Sequence, residues 1–271
     1  FVRTTEYIKP YNSADHVNTD QDAALLEAIT EKHGERPAVI TTMTALEEYD
    51  DAGMLDLAQE DHGAFTGDVS DGPADTVRWH GNVLGSNEYD DTRLGAVIGS
   101  NHYGDGFIKK WGAYAGESVE RNDEKGAGLS YGGFGDAVLQ HMREHDTLQA
   151  AMRFGRDGNG AVVYVHTDTL PEWVPLAGEG RVLKTWSDGM KDVLAALEDL
   201  GEATTEAVRE HPAVDLSRQQ VFAHLEELRE RDVLSREQDA EDGRRVVWVD
   251  DGLHRVSDHG EAELDPVDLE E

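Results

Sequence analysis

The chain has 271 residues, 57 of them acidic and 24 basic, for a formal net charge of −33. That length supports a sizeable core and two domains. It has no cysteine, which excludes disulfides, iron–sulfur clusters and thiolate zinc sites. No apolar run is long enough to span a membrane and no signal-like segment opens the chain, so a cytoplasmic location is expected.

Asp20 to Lys32 is predicted to be a helix, with Ala24, Leu25, Ala28 and Ile29 at helical spacing. Ala38 to Thr42 follows as a short β-rich run. Thr44 then reads as an N-cap, with Glu47 completing a capping box for a helix through about Tyr49. Asp61 to Asp75 is polar and glycine-rich and reads as a loop. Val77–Gly81 and Ala96–Gly99 are strand candidates, and Gly106–Ala115 is a helix. Asn122–Gly135 reads as loose, Val138–Phe154 as a helix broken near His145, and Ala161–His166 as a strand. Strands alternating with helices argue for an α/β fold with a helix-covered parallel sheet over residues 1–186.

The character changes after Pro171 and Pro175. Arg181–Trp186 is a last strand candidate, and Ser187 caps a helix running to Leu200. Thr205–Arg209 and Ser217–Arg231 are two more helices, the latter with Val221, Leu225 and Leu228 on one face. Val233–Arg236 and Arg245–Val249 flank the turn Glu241-Asp242-Gly243, a hairpin signal. Residues 187–260 are therefore expected to form a second domain, and 261–271 an acidic tail.

The acidic residues are spread through the chain and arginine outnumbers lysine, a distribution that resembles the proteins of salt-in halophilic archaea. High salt shortens the Debye length to a few ångströms and removes most of the self-repulsion that such a charge creates. The acidity therefore does not exclude nucleic acid as a partner. The first residues, Phe1 onward, look like mid-domain sequence, which leaves both a truncated chain and one that starts just before Phe1 open.

Gln149, Arg153 and Arg156 form a Q-x-x-x-R-x-x-R run on an apolar background, just before the strand at Ala161. Arginines three apart share a helix face, and their donor forks match phosphate oxygens. The run resembles the last conserved motif of superfamily-2 helicases, with Met152 where that family usually has glycine. A solvated helix end with cations near its negative pole is the simpler alternative. The resemblance implies a RecA-like domain over roughly Pro37 to Thr167. In it, Gly104 and Asp105 would stand in a motif linking nucleotide to nucleic acid, and Gly85-Ser86-Asn87 would be a turn that touches a strand's phosphates. It also implies ATP and magnesium as cofactors and DNA as partner. No G-x-x-x-x-G-K-[ST] and no D-E-x-H occurs in the chain, so an N-terminal P-loop domain of the parent protein would hold most of the nucleotide. No ATPase is expected from this chain alone.

Three helices followed by a hairpin resemble the winged helix-turn-helix family. The resemblance implies a recognition helix from Ser217, presenting Arg218, Gln219, Gln220 and His224 to a major groove, with Arg244 and Arg245 in the wing. Such modules also serve as protein docks, and Glu226, Glu227 and Glu230 temper the case for DNA. Arginine and glutamine, however, are the side chains that read guanine and adenine edges, so DNA contact is the favoured reading. His141-Met142-Arg143-Glu144-His145 has the spacing of a zinc-binding helix but no evident third ligand, so no metal is expected. The glycine-rich run Gly126–Gly135 lacks a P-loop ending and reads as a loop. The expectation is thus the C-terminal part of an ATP-dependent DNA helicase or helicase-like replication protein. The alternative is a non-enzymatic winged-helix regulator with an α/β sensor or dimerisation domain.

Overall fold

The computed structural model describes residues 1–54, 57–59, 65–67, 74–81, 83, 87–124, 128–238 and 245–267. In chain order the first unit comprises β1 (Val2–Arg3), α1 (Thr19–His33), β2 (Ala38–Thr41), α2 (Met43–Asp51), β3 (Leu57–Gln59) and β4 (Phe65–Gly67). It continues with β5 (Val77–Trp79), β6 (Leu94–Ile98), α3 (Asp105–Ala115), α4 (Gly132–Ala151), β7 (Val162–His166) and β8 (Gly178–Thr185). A helical module follows: α5 (Asp188–Leu200), α6 (Thr205–Glu210), α7 (Arg218–Glu230), β9 (Leu234–Gln238) and β10 (Val246–Asp250). The chain then returns to the first unit as β11 (Gly260–Leu264).

The main sheet has the order β11-β8-β1-β7-β6-β2-β5. All its pairings are parallel except that of β11 with β8. β6 and β7 are buried along their whole length, as strands covered on both faces must be. Leu25, Leu26 and Ile29 of α1 pack on one face with Leu46 and Tyr49 of α2. Ala150 and Ala151 of α4, with Phe154 and Tyr89, pack on the other. The chain leaves β2 toward β5 but leaves the adjacent β6 toward β7, so its connections diverge at the carboxyl ends of that pair. A crevice opens at such a point in an open α/β sheet.

The α/β class and most elements agree with the sequence reading, and five details differ. Thr42, not Thr44, caps α2, its hydroxyl accepting from Ala45 N at 3.2 Å. The helix begins as soon as the chain leaves β2. The stretch read as a loop from Asp61 contains β4, which pairs antiparallel with β3. α4 is unbroken through His145 and starts within the glycine run, at Gly132. β1, with no periodicity to betray it in two residues, is a central strand. Finally, Gly260–Leu264 is an edge strand and not part of a tail. Its Glu261 pairs with Arg231, and its Glu263 with Arg181 at 3.1 Å. Alternating acidic and apolar residues suit an edge strand, whose charges discourage further pairing. Residues 268–271 lie outside the described residues.

The module has its own core of Trp186, Met190, Val193, Leu197, Val208, Val221, Leu225, Leu228 and Trp248. Ser187 caps α5, and Ser217 with Gln220 forms a reciprocal capping box on α7. Ala203 bridges to Trp248 across the hairpin of β9 and β10, through N–H···O bonds of 3.1 and 2.8 Å. Three helices and a hairpin are therefore present in the expected order, inserted between two paired strands of the main sheet.

Candidate functional site

α4 ends at Ala151, and the chain then turns tightly through Arg153 to Asn159 before entering β7. Gly155 permits the turn: it has φ +62°, and a Cβ there would lie 2.3 Å from the Gly160 carbonyl carbon. The turn is tied to the segment preceding β6, Gly155 N donating to Thr92 O at 3.1 Å and Asp157 N to Asp90 O at 3.0 Å. Arg156 consequently faces the amino edge of the sheet, with its guanidinium 3.8 Å from Asp90 Oδ1. Gly104 and Asp105 open α3 at the opposite, carboxyl edge. There Asp105 accepts from the Tyr131 hydroxyl at 2.8 Å, the main cause of its lowered pKa, and stands 3.5 Å from Arg121. Arg156 and the Gly104–Asp105 turn are thus separated by the length of the strands.

Gln149 and Arg153 lie four apart along the end of α4 and reach a different place. They line a cavity of about 210 Å³ together with His80, Asn101, Tyr103 and Asp146. This is the crevice where β2, β5 and β6 end. Asp146 Oδ2 accepts from Asn101 Nδ2 at 2.8 Å and from the Tyr103 hydroxyl. Gln149 Nε2 lies 3.1 Å from a ring nitrogen of His145 one turn back. His80, directly after β5, is 5% exposed, and neither of its ring nitrogens has a hydrogen-bond partner among the described residues. Burial holds its pKa below the usual histidine value, with Asp146 opposing. His80 and Asp146 were not singled out from sequence; a histidine closing a short strand was the available signal.

A second polar cluster was also missed. Asp22 of α1 is fully buried; it accepts from Tyr11 at 2.8 Å and from Tyr49 at 2.8 Å, and has Lys9 Nζ and His166 Nε2 each at 3.6 Å. Lys9 adopts φ +46° so that the loop after β1 can fold across the carboxyl edge. His166 is 1% exposed, with Nδ1 2.8 Å from the Thr4 hydroxyl. These residues come from four elements spread over the chain, and no spacing rule links them. His141 and His145 of the zinc-like motif lie exposed on α4 with ring centroids 6.1 Å apart.

In the module, Arg218, Arg236 and Arg245 converge on a groove of about 630 Å³ between α6, α7 and the hairpin, beside Phe222 and Glu206. Arg218 is exposed, 3.8 Å from Glu206, and Arg236 lies over the rings of Phe222 and Trp248. Gln219 is exposed as expected. Gln220 is also exposed, but its Oε1 is engaged by Ser217 N at 3.1 Å and Oγ at 2.7 Å, so it serves as a helix cap. His224 is half-buried toward Gly189 of α5 and does not project from the outer face. Arg236 was not singled out from sequence. Arg244 and the turn Glu241-Asp242-Gly243 lie outside the described residues, as do Gly85 and Ser86.

No family model and no curated protein matches the chain. It is similar to a solved structure of BpsR from Bordetella bronchiseptica, whose DNA binding is regulated by 6-hydroxynicotinic acid. The two share 26% identity over 24% of this chain and 45% of that chain, with a TM-score of 0.22. A match of that score is too loose to bear on fold or function.

Proposed function

We propose that the chain is the C-terminal part of an ATP-dependent DNA helicase or helicase-like replication protein working in a high-salt cytoplasm. Its sheet unit would be a RecA-like half that completes an ATP site built mainly by a P-loop domain, and its module a winged helix gripping DNA. The observation that carries this reading is one convergence. Gln149 and Arg153 from the end of α4 share a cavity with Asn101 and Tyr103, from the turn that leads to Gly104 and Asp105. Segments read separately as a phosphate-gripping motif and a nucleotide-coupling turn thus meet at the carboxyl edge of a parallel sheet, where ligands of this fold class bind.

The residues present fit a polyphosphate in part. Arg153 offers a charged donor fork and Gln149 an amide, at the edge a P-loop partner would face. ATP and its magnesium would supply the phosphoryl-transfer chemistry, and Arg153 would stabilise charge developing on the phosphate. Arg156, at the other edge beside Asp90, is assigned a structural role in the turn. For DNA, the groove with Arg218, Arg236 and Arg245 supplies phosphate contacts, and Gln219 the exposed amide for a base edge.

The deciding measurement is ATP turnover by the chain joined to its P-loop domain. Arg153→Ala should lower turnover by roughly 10³-fold or more, as loss of a transition-state arginine does, while Arg156→Ala should change it little. Equal turnover in the parent and Arg153→Ala, or loss through Arg156→Ala alone, overturns the assignment. A second reading, a non-enzymatic DNA-binding regulator, draws on the displaced Arg156 and the arginine groove. It requires duplex binding by this chain with no turnover under any pairing.

A further inference from the structure

A ladder of rings runs along the outer face of α3 from the turn before it, and its first member, Tyr103, also lines the cavity beside Gln149 and Arg153. Tyr103, Phe107, Trp111 and Tyr114 follow one another with ring centroids 4.6, 6.3 and 6.1 Å apart. The inner pair packs partly against Ile108, Tyr131 and Leu139. The outer pair projects from the protein, Trp111 being 44% and Tyr114 71% exposed. Scattered exposed aromatics need no explanation, but a contiguous row rimmed by polar residues marks a binding surface.

Charge identifies the partner. Lys109 and Lys110 lie on the same helix, and among the described residues no carboxylate comes within ion-pair distance of either. Lys110 Nζ instead sits 5.8 Å from the centre of the Tyr114 ring. The other described lysines are engaged: Lys9 with Asp22, Lys32 with the Leu264 and Asp265 carbonyls, Lys184 with Glu227 and Lys191 with Asp20. In a chain with 57 acidic and 24 basic residues, Lys110 stands beside the rings, while Lys109 next to it lies near enough to Asp105 to help lower that carboxyl's pKa. A cation against a row of rings suits an anion with flat faces.

We infer that the Tyr103–Tyr114 face of α3, with Lys109 and Lys110, is a stacking track for single-stranded nucleic acid. Bases stack on the rings while the lysines meet the phosphates, the combination by which single strands are held without sequence preference. A duplex cannot use the track, because its bases are already stacked on one another. A protein helix would leave Lys110 without a counter-charge unless it were acidic, and it would find no exposed aliphatic side chain larger than alanine on this face of α3. The inner end of the ladder is anchored, since the Tyr103 hydroxyl donates to Asp146 beside Gln149 and Arg153. A strand on the track would therefore end against the cavity. The inference is independent of the ATP assignment.

The test is anisotropy of a labelled oligothymidylate titrated with the whole 271-residue chain in molar KCl, where self-repulsion is screened. The parent should bind it at least about tenfold more tightly than a duplex of equal length. Trp111→Ala should weaken binding roughly 5- to 150-fold, the range that stacking of one base spans. Trp173→Ala, at a still more exposed tryptophan elsewhere, should bind like the parent. Lys109→Gln/Lys110→Gln should lower the salt dependence by about 0.7 in slope for each phosphate that the side chains no longer neutralise. Arg218→Ala/Arg245→Ala should retain the single strand, which separates this track from the module's groove. Absence of binding by the parent, equal affinity for the duplex, or an unaffected Trp111→Ala variant overturns the inference. So does self-association in sedimentation that Trp111→Ala abolishes, which would make the ladder an interface between copies of the chain.

Discussion

Lys9 Nζ stands 3.6 Å from Asp22 Oδ1 in the interior, with the two side chains 9% and 0% exposed. Burial alone pushes the Asp22 carboxyl up and the Lys9 ammonium down, and their mutual attraction with the Tyr11 and Tyr49 hydroxyls opposes this. Removing one member leaves the other charge buried without its partner. Asp22→Ala should therefore cost about 3–5 kcal/mol in urea unfolding. Lys9→Met/Asp22→Asn should recover much of that loss, since the neutral pair needs no compensation. Equal losses for the single and double variants would show that the cluster holds the loop by packing alone.

Two buried histidines make the fold sensitive to acid. Burial holds the pKa of His166 well below the usual value and also lowers that of His80. The unfolded chain then takes up protons first, so their contribution is complete above about pH 6.5 and falls as pH drops toward their folded values. His259 acts oppositely: its hydrogen bond to Glu27, 2.5 Å long, raises its pKa. That contribution is complete below about pH 6.5 and fades as pH rises through the raised value. Unfolding curves from acid to mildly alkaline pH should show His166→Gln flattening the acid limb and Glu27→Gln flattening the alkaline one. Unchanged limbs would remove these groups from the pH response.

Gly155 and Gly158 distinguish two costs within one turn. Both have positive φ, but only Gly155 abuts backbone, that of Gly160 and Ala161. Gly158→Ala should cost about 1–2 kcal/mol for the left-handed conformation. Gly155→Ala should cost more and should loosen Arg156 from Asp90. Equal melting temperatures for the two variants would count against the close approach.

Salt should raise the melting temperature from dilute buffer to molar KCl. Exposed ion pairs such as Arg209 with Glu206 contribute only about 0–1 kcal/mol each, so screening them loses little. Screening a net charge of −33 gains more. In the proposed role, duplex binding by the module should lose affinity with salt through counterion release, and the firmer fold should partly offset it. A shallow or reversed salt dependence is expected, abolished in Arg218→Ala/Arg245→Ala. A falling melting temperature would contradict the salt-adapted reading.

The sequence by itself determined the alternation that makes this an α/β protein. Runs such as Val162-Val163-Tyr164-Val165 and caps such as Ser187 and Ser217 act within a few residues, and local physics is visible in local sequence. It also determined the change of character near Ser187. The tertiary structure alone decided that β1 is central, that Glu261–Leu264 returns to pair with β8, and that Arg153 and Arg156 part company at Gly155. Sheet pairing joins residues far apart in the chain, such as Val2 with Gly178, and neither edge-strand charge nor a glycine's handedness states its partner. The Lys9–Asp22–His166 cluster, and His80 whose ring nitrogens have no partner among the described residues, lie beyond sequence for the same reason. Burial changes what a titratable side chain does, and burial belongs to the folded chain.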